Sequence, residues 1–415
     1  MNVTTAVQGV KKIQAALKVL AALQLTSYLW PQHAVVQDGA SFDFIIVGAG
    51  SAGSVIASRL TEIDRATVLL IEAGGDPPLE SVMPGVFQYL KNSEVDWNYT
   101  AESDSYTHQF HKNHSVELTR GKMLGGCSSN NFMAYTRGNW HDYDNWAKLT
   151  GDDTWRWVNV LPYFRKSERL EDPIILNSPA AYYHGTKGNL GVTRNHNQEV
   201  VKYLQAFEEV GNKIVLDTNG NNSLGYTEPL VTISGGRRQS TAHSFLIPAK
   251  DRPNLFVLKN TLVSKIIFDG NKNAIGIEAI LQDNTTATYN ANKEVIISAG
   301  AFNTPQLLML SGIGPAEHLK SFGIKVISDL PVGQSLQDHG VIVFAHKMGK
   351  TMPTKPLDPT VYPVPQILGF ASLNKTKTYP DYETTNFVLK DLTRMLEICS
   401  FYYSFMDEIC QAFYD

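Results

Sequence analysis

The stretch Phe42-Asp43-Phe44-Ile45-Ile46-Val47-Gly48-Ala49-Gly50-Ser51-Ala52-Gly53, followed by a helical run and then Val68-Leu69-Leu70-Ile71-Glu72, decides the fold. It has the layout of a dinucleotide-binding β-α-β unit: an apolar strand, Gly-x-Gly-x-x-Gly, a helix, and a second apolar strand closed by an acid. Gly48 serves the tight turn out of the strand, Gly50 lets backbone approach a pyrophosphate, and Gly53 lets the helix pack closely on the sheet. The free N–H groups at the helix start, around Ser51 and Ala52, favour phosphate oxygens. Glu72 follows Gly53 by nineteen residues, where a carboxylate accepts hydrogen bonds from adenosine ribose hydroxyls and disfavours a 2′-phosphate.

Working outward, the chain has 415 residues, 43% of them hydrophobic and 18% charged. That length buries a large core and predicts about two domains. The formal charge is −4 with a pI of about 6.3 and no long basic run, so nucleic acid is set aside as a partner.

Residues 1–35 read differently from the rest. After Lys11 and Lys12, the segment Ile13 to Trp30 is mostly apolar and helical in pattern, resembling a secretory signal; the alternative is an amphipathic helix packed on the domain. Lys18 and Gln24 interrupt it, so no stable membrane span is expected. Asn98, Asn113, Asn221, Asn284 and Asn374 each begin an Asn-x-Ser/Thr glycosylation pattern. With only Cys127, Cys399 and Cys410 there is no disulfide framework, although Cys399 and Cys410 can pair in an oxidising environment. The expectation is a secreted or lumenal protein.

From the turn at Ala73-Gly74-Gly75-Asp76-Pro77-Pro78 to about residue 160 the chain reads as long loops with short helices. Three short β-type runs follow at 254–258, 262–268 and 274–280, read as a meander. Glu294 to Gly300 is another strand, leading through Pro305 into a helical run at Gln306-Leu307-Leu308-Met309-Leu310. The aromatic stripe between Leu396 and Tyr414 reads as core.

The fingerprint alone leaves nicotinamide and flavin open, since both carry the adenosine-diphosphate half. Arg120-Gly121-Lys122-Met123-Leu124-Gly125-Gly126-Cys127-Ser128-Ser129-Asn130-Asn131-Phe132-Met133 places paired glycines beside hydroxyls and amides, suited to wrapping a pyrophosphate and a flat ring. This segment resembles the first signature of the glucose-methanol-choline (GMC) oxidoreductases, flavoenzymes that use FAD. The second signature is recognisable in Gly300-Ala301-Phe302-Asn303-Thr304-Pro305-Gln306-Leu307-Leu308-Met309-Leu310-Ser311-Gly312-Ile313-Gly314-Pro315. Two further segments are similar: Ser240 to Pro248, leading into Arg252-Pro253-Asn254-Leu255, and Leu330 to His339. The resemblance covers roughly residues 40 to 390, and its opening looks most like the insect branch that includes glucose dehydrogenases and ecdysone oxidases. Cys127, Asn130 and Ser335 depart from the residues more usual in the family.

The resemblance implies an α/β fold: a Rossmann-like FAD-binding domain interleaved with an α+β substrate domain of antiparallel sheet. Residues 40–340 would hold the FAD-binding part, most of it in 40–150 and 225–340, with 160–220 partly substrate domain and 345–415 beginning the rest of it. It implies that FAD meets Gly48, Gly50, Ser51, Ala52, Gly53 and Glu72, with Val263 at the adenine. Arg120, Met123, Leu124, Gly125, Gly126, Ser128, Asn131 and Met133 would line the pyrophosphate and ring side, with Gly300, Asp338 and His339 contributing near the flavin. The implied activity is oxidation of an alcohol, sugar or ecdysteroid, with a quinone or oxygen as electron acceptor. In the family the catalytic base is a His near the C-terminus, and this sequence has no His after His346. The expectation is therefore a shortened chain with little alcohol oxidation of its own. The alternative is an inactive flavin-binding or interaction module.

Overall fold

The computed structural model describes residues 29–346, 358–389 and 395–414. Most of the apolar N-terminal segment read as a signal or a helix lies outside them. The described chain divides into two units. The first comprises the described residues up to Leu79, with Gly121–Ser129 and Thr241–His339. The second comprises Glu80–Arg120, Asn130–Ser240 and the described residues from Gly340 onward.

In chain order the elements used below begin with β1 (Ser41–Val47), α1 (Ser51–Leu60) and β2 (Val68–Ile71). Then come α2 (Trp140–Thr150), α3 (Trp157–Ser167), β3 (Glu168–Leu170), β4 (Leu190–Arg194), α4 (Gln198–Glu209), β5 (Gly225–Thr227) and β6 (Leu230–Val231). β7 (Leu255–Leu258), β8 (Leu262–Phe268), β9 (Ala274–Ile280), β10 (Thr286–Ile297) and α5 (Gly300–Leu310) follow. The last are β11 (Gln366–Ala371), β12 (Tyr382–Phe387) and α6 (Asp407–Tyr414).

The first unit is built on a six-stranded sheet in the order β7-β2-β1-β10-β9-β8. Every residue of β2 is apolar and buried, as in a parallel strand covered on both faces. β1 lies parallel to β2, with Phe44 opposite Val68 and Val47 opposite Ile71, and parallel to the last part of β10. Phe42, Ile45, Val47, Leu69, Ile71, Ile266, Ile277 and Tyr289 form its core.

Three expectations are corrected here. The run at 254–258 is not part of the meander: β7 pairs parallel with β2, Leu255 opposite Val68, and the meander is β8-β9-β10. Its place is fixed by side chains that hydrogen-bond the end of α1 and the turn before β2. Arg252 Nη1 donates to Thr61 Oγ1 at 2.8 Å, and Asn254 Nδ2 to the Ala66 carbonyl at 2.9 Å. The helix expected at 306–310 starts at Gly300, so Pro305 lies inside it. The strand before it is also longer than the sequence suggests, because β10 spends its first half antiparallel to β9 and its second half parallel to β1.

In the second unit, β11 pairs antiparallel with both β12 and β5, and β4 pairs with β3 and β6. The stretch expected to hold loops and short helices contains α2 and the start of α3, each of 11 residues. α2 opens on a capping box, in which Asn139 accepts from the His141 N–H and Asp142 accepts from the Asn139 N–H. Cys399 and Cys410 form a disulfide, and Cys127 is exposed. The C-terminal aromatics are mixed: Phe405 packs its ring 4.6 Å from that of His111, whereas Phe401 is 45% exposed.

Candidate functional site

The site grows from the turn between β1 and α1. Gly48 leaves β1 with φ +95°, and a side chain at Gly53 would place its Cβ 1.9 Å from the Gly48 carbonyl oxygen. Only glycine at position 53 lets α1 begin this close to the strand it has just left. The turn is then tied down: Ser54 Oγ donates to the Ala49 carbonyl at 2.8 Å, and Ser298 Oγ to that of Gly48 at 2.9 Å. Ser51 and Ala52 are exposed at the start of α1. No side chain caps that helix, and no acidic residue lies in its first turn. Its first N–H groups and the positive end of its dipole are therefore presented to any anion that approaches.

The Gly125-Gly126 segment packs onto this turn. Gly125 N–H donates to the Ala49 carbonyl at 2.7 Å, and a Cβ at Gly126, where φ is +50°, would lie 2.8 Å from Gly50 Cα. Two backbones free of side chains thus face each other beside the helix start. Ser128 Oγ donates to the Gly125 carbonyl at 2.6 Å and accepts from the Thr241 N–H at 2.9 Å, while Thr241 Oγ1 donates to the Gly50 carbonyl at 3.3 Å. Met123 and Leu124 are fully buried, Leu124 N–H reaching the Gly75 carbonyl at 3.0 Å.

Glu72, at the end of β2, is buried. Its Oε2 accepts from the Ala49 N–H and its Oε1 from the Gly74 N–H, each at 3.0 Å. One carboxylate therefore braces both the glycine turn and the turn that follows β2. Burial raises its pKa to about 7, outweighing the backbone hydrogen bonds and the Lys122 charge that pull it down. A carboxylate has about four lone-pair sites, so Glu72 can still accept from ribose hydroxyls while it holds both N–H groups.

The other expected residues are placed as follows. Val263 belongs to β8 and to the sheet core. Gly300 opens α5 with φ +88°. Asp338 and His339 are exposed, the His339 N–H donating to Asp338 Oδ1 at 2.8 Å. No described hydrogen bond joins either to the glycine turn. Arg120, Asn131 and Met133 fall in the second unit. Arg120 N–H donates to Asp96 Oδ1, and Asn131 Oδ1 accepts from the Met133 N–H and from Arg238 Nη1. The Met133 side chain is a core group packed among Phe87, Leu90, Val231 and Ile233. Sequence reasoning gave no part to Thr241 or Ser298, whose hydroxyls hold the glycine turn. Thr241 is the second residue of the family-like Ser240 to Pro248 segment, which is the signal that could have found it. Ser298 follows β10 directly, among the small residues before α5. Among the described residues no cluster of His, Cys, Asp and Glu could hold a metal ion. Nor is any helix there long and apolar enough to cross a membrane.

Known proteins similar to this chain share its sequence over most of the described residues. The chain is 47% identical over 333 residues to the ecdysone oxidase of Bombyx mori, covering 79% of this chain and 49% of that protein. It is 42% identical over 302 residues to a glucose dehydrogenase [FAD, quinone] of Drosophila pseudoobscura pseudoobscura, covering 72% and 48%. The chain thus spans about half the length of the curated relatives it matches. Among solved structures, pyridoxine 4-oxidase from Mesorbium loti superposes with a TM-score of 0.64 at 30% identity, over 70% of this chain and 55% of that one. The sequence profile described as GMC oxidoreductase matches residues 42–341, from the first residues of β1 to just past His339, and the chain belongs to that family.

Proposed function

We propose that this chain holds FAD and serves an oxidoreductase that acts on the CH–OH group of a small-molecule donor. The observation that carries the reading is the uncapped start of α1, walled by the glycine backbones at positions 50 and 126 and closed by the buried carboxylate of Glu72. This arrangement fits the adenosine-diphosphate half of FAD: pyrophosphate at the helix start, ribose hydroxyls at Glu72. The bound flavin supplies the redox chemistry by accepting hydride from the donor carbon. The chain's own residues do the holding: Gly48 makes the turn, its N–H held by the Ile71 carbonyl, while Gly50, Ser51, Ala52 and Gly53 present backbone N–H groups and Met123 to Ser128 form the facing wall. In this reading the first unit is the FAD-binding part and the second begins the part that meets the donor.

The donor is of ecdysteroid or sugar type, and the acceptor a quinone or oxygen. Support comes from the relatives, among them ecdysone oxidase and glucose dehydrogenase [FAD, quinone]. The protein is secreted or lumenal in this reading, supported by the Cys399–Cys410 disulfide and by Asn-x-Ser/Thr patterns at exposed asparagines. The test is to supply FAD to the purified chain, record the visible spectrum, and add ecdysone or glucose without oxygen. Flavin bound and bleached by one donor supports the whole reading. Flavin bound but never bleached supports the cofactor site and rejects donor oxidation by this chain.

A further inference from the structure

A second feature lies in the second unit, lined by none of the residues given to FAD. A cavity of about 270 Å³ is lined by Trp140, Asp144, Arg156, Trp157, Val158 and Asn221. Two half-buried indoles, a carboxylate and a guanidinium in one small cavity suit the amphipathic surface of a pyranose. Its C–H face packs on aromatic rings, and its hydroxyls meet polar groups at the edge. Trp157 is backed by Tyr143 and Phe164, with ring centroids 5.4 and 5.9 Å away. Asp144 Oδ1 accepts from the Trp157 N–H at 2.9 Å, which leaves further lone pairs for hydroxyl donors.

Asn221, on the cavity wall, is exposed and begins Asn221-Asn222-Ser223. The loop that carries it is anchored on both sides. Before it, Asn219 Oδ1 accepts from the Arg137 N–H at 2.8 Å and Asn219 Nδ2 donates to the Tyr135 carbonyl at 3.0 Å. After it, the Ser223 hydroxyl accepts from Asn139 Nδ2 at 2.7 Å. Asn139 caps α2 and immediately precedes Trp140. The hydroxyl that completes the acceptor pattern is therefore the group that clamps Asn221 beside the tryptophan.

We propose that Asn221 carries an N-linked glycan whose first sugar lies in this cavity, stacked on the indoles of Trp140 and Trp157. The inference rests on the export reading above. In the modification, the Asn221 side-chain nitrogen bonds to C1 of a sugar delivered as a lipid-diphosphate-linked oligosaccharide. The C1–O bond breaks, the lipid diphosphate leaves with the electron pair, and the amide loses one proton. Ser223 is 4% exposed once folded, so the transfer precedes closure of this loop, and the attached sugar is built into the cavity as the chain folds.

The test uses the full chain secreted from eukaryotic cells, with glycosylation at each asparagine read by peptide mass spectrometry. The glycan at Asn221 is expected to be present. On the native protein an amidase that cleaves N-glycans is expected to release it about tenfold more slowly than from Trp157→Ala, a factor equal to about 1.4 kcal/mol. Trp140→Ala is the second variant should Trp157→Ala fail to fold, and Trp157→Phe is expected to keep the protection. An unmodified Asn221 beside occupied Asn98, Asn113, Asn284 or Asn374 overturns the proposal and leaves export standing. Equal release rates from native and variant protein overturn the stacking. All five asparagines bare overturns export and the proposal together.

Discussion

Glu72 joins the fold to the proposed cofactor at the scale of one residue. Its folded pKa of about 7 lies above the ordinary value of 4.5. Its contribution to stability is therefore fully present below pH 4.5 and is lost as pH rises through 7, by about 3 kcal/mol. In Glu72→Gln that slope is expected to vanish from urea unfolding curves recorded between pH 4 and 8. The variant also loses one of the two backbone hydrogen bonds, because an amide has a single acceptor oxygen; about 1 kcal/mol of stability at pH 5 should go with it. His184 has the opposite chemistry. Its Nδ1 lies 3.0 Å from Glu168 and its Nε2 3.0 Å from Asp217, while Arg137 Nη2 lies 2.6 Å from Glu168. Burial works against the imidazolium, but its hydrogen bonds to Asp217 and Glu168 outweigh it and raise the pKa above its ordinary 6.5. Its stabilisation is complete below pH 6.5 and is lost as pH rises through the raised value. His184→Asn is expected to cost about 3–5 kcal/mol at pH 6, as when one partner of a buried ion pair is removed, and less at alkaline pH, again by urea unfolding. An unchanged midpoint at pH 6 would show that the cluster contributes nothing. The acid at position 72 was legible because its spacing from the glycines is local. The cluster around His184 is gathered from residues 137, 168 and 217, which no spacing rule connects.

At the scale of elements, the β1-α1-β2 unit was readable because strand, turn, helix and strand are contiguous and each declares itself by pattern. Gly53 carries the closest approach, so Gly53→Val is expected to push α1 off the strand. The expected loss is at least 1–3 kcal/mol, the range for overpacking, and thermal unfolding of the variant checks it. A variant as stable as the parent would mean that the helix start tolerates displacement. The position of β7 was not readable, since its partner β2 lies far back in sequence and parallel pairing leaves no local turn signal. Reading residues 73 to 160 as long loops with short helices left α2 unplaced for a different reason. Its apolar positions Trp140, Tyr143, Trp146 and Ala147 span only about two turns, and the Asn139–Asp142 cap marks its start.

For the whole molecule, the two units are interleaved in sequence, and each gathers residues that the chain keeps far apart. Thr241 and Gly125 both reach the β1–α1 turn within the first unit, while Asn219 and Asn139 fix the loop of Asn221 within the second. In the function proposed above, the first unit has one task, holding FAD by backbone at the start of α1. The most direct measurement of that claim is a titration of the purified chain with FAD, followed by the flavin's visible absorbance and run beside Gly126→Val. The expected result is one FAD per chain, with binding lost in the variant because its side chain would collide with Gly50. A chain that folds and takes up no FAD, or a variant that binds it as well as the parent, would contradict the account.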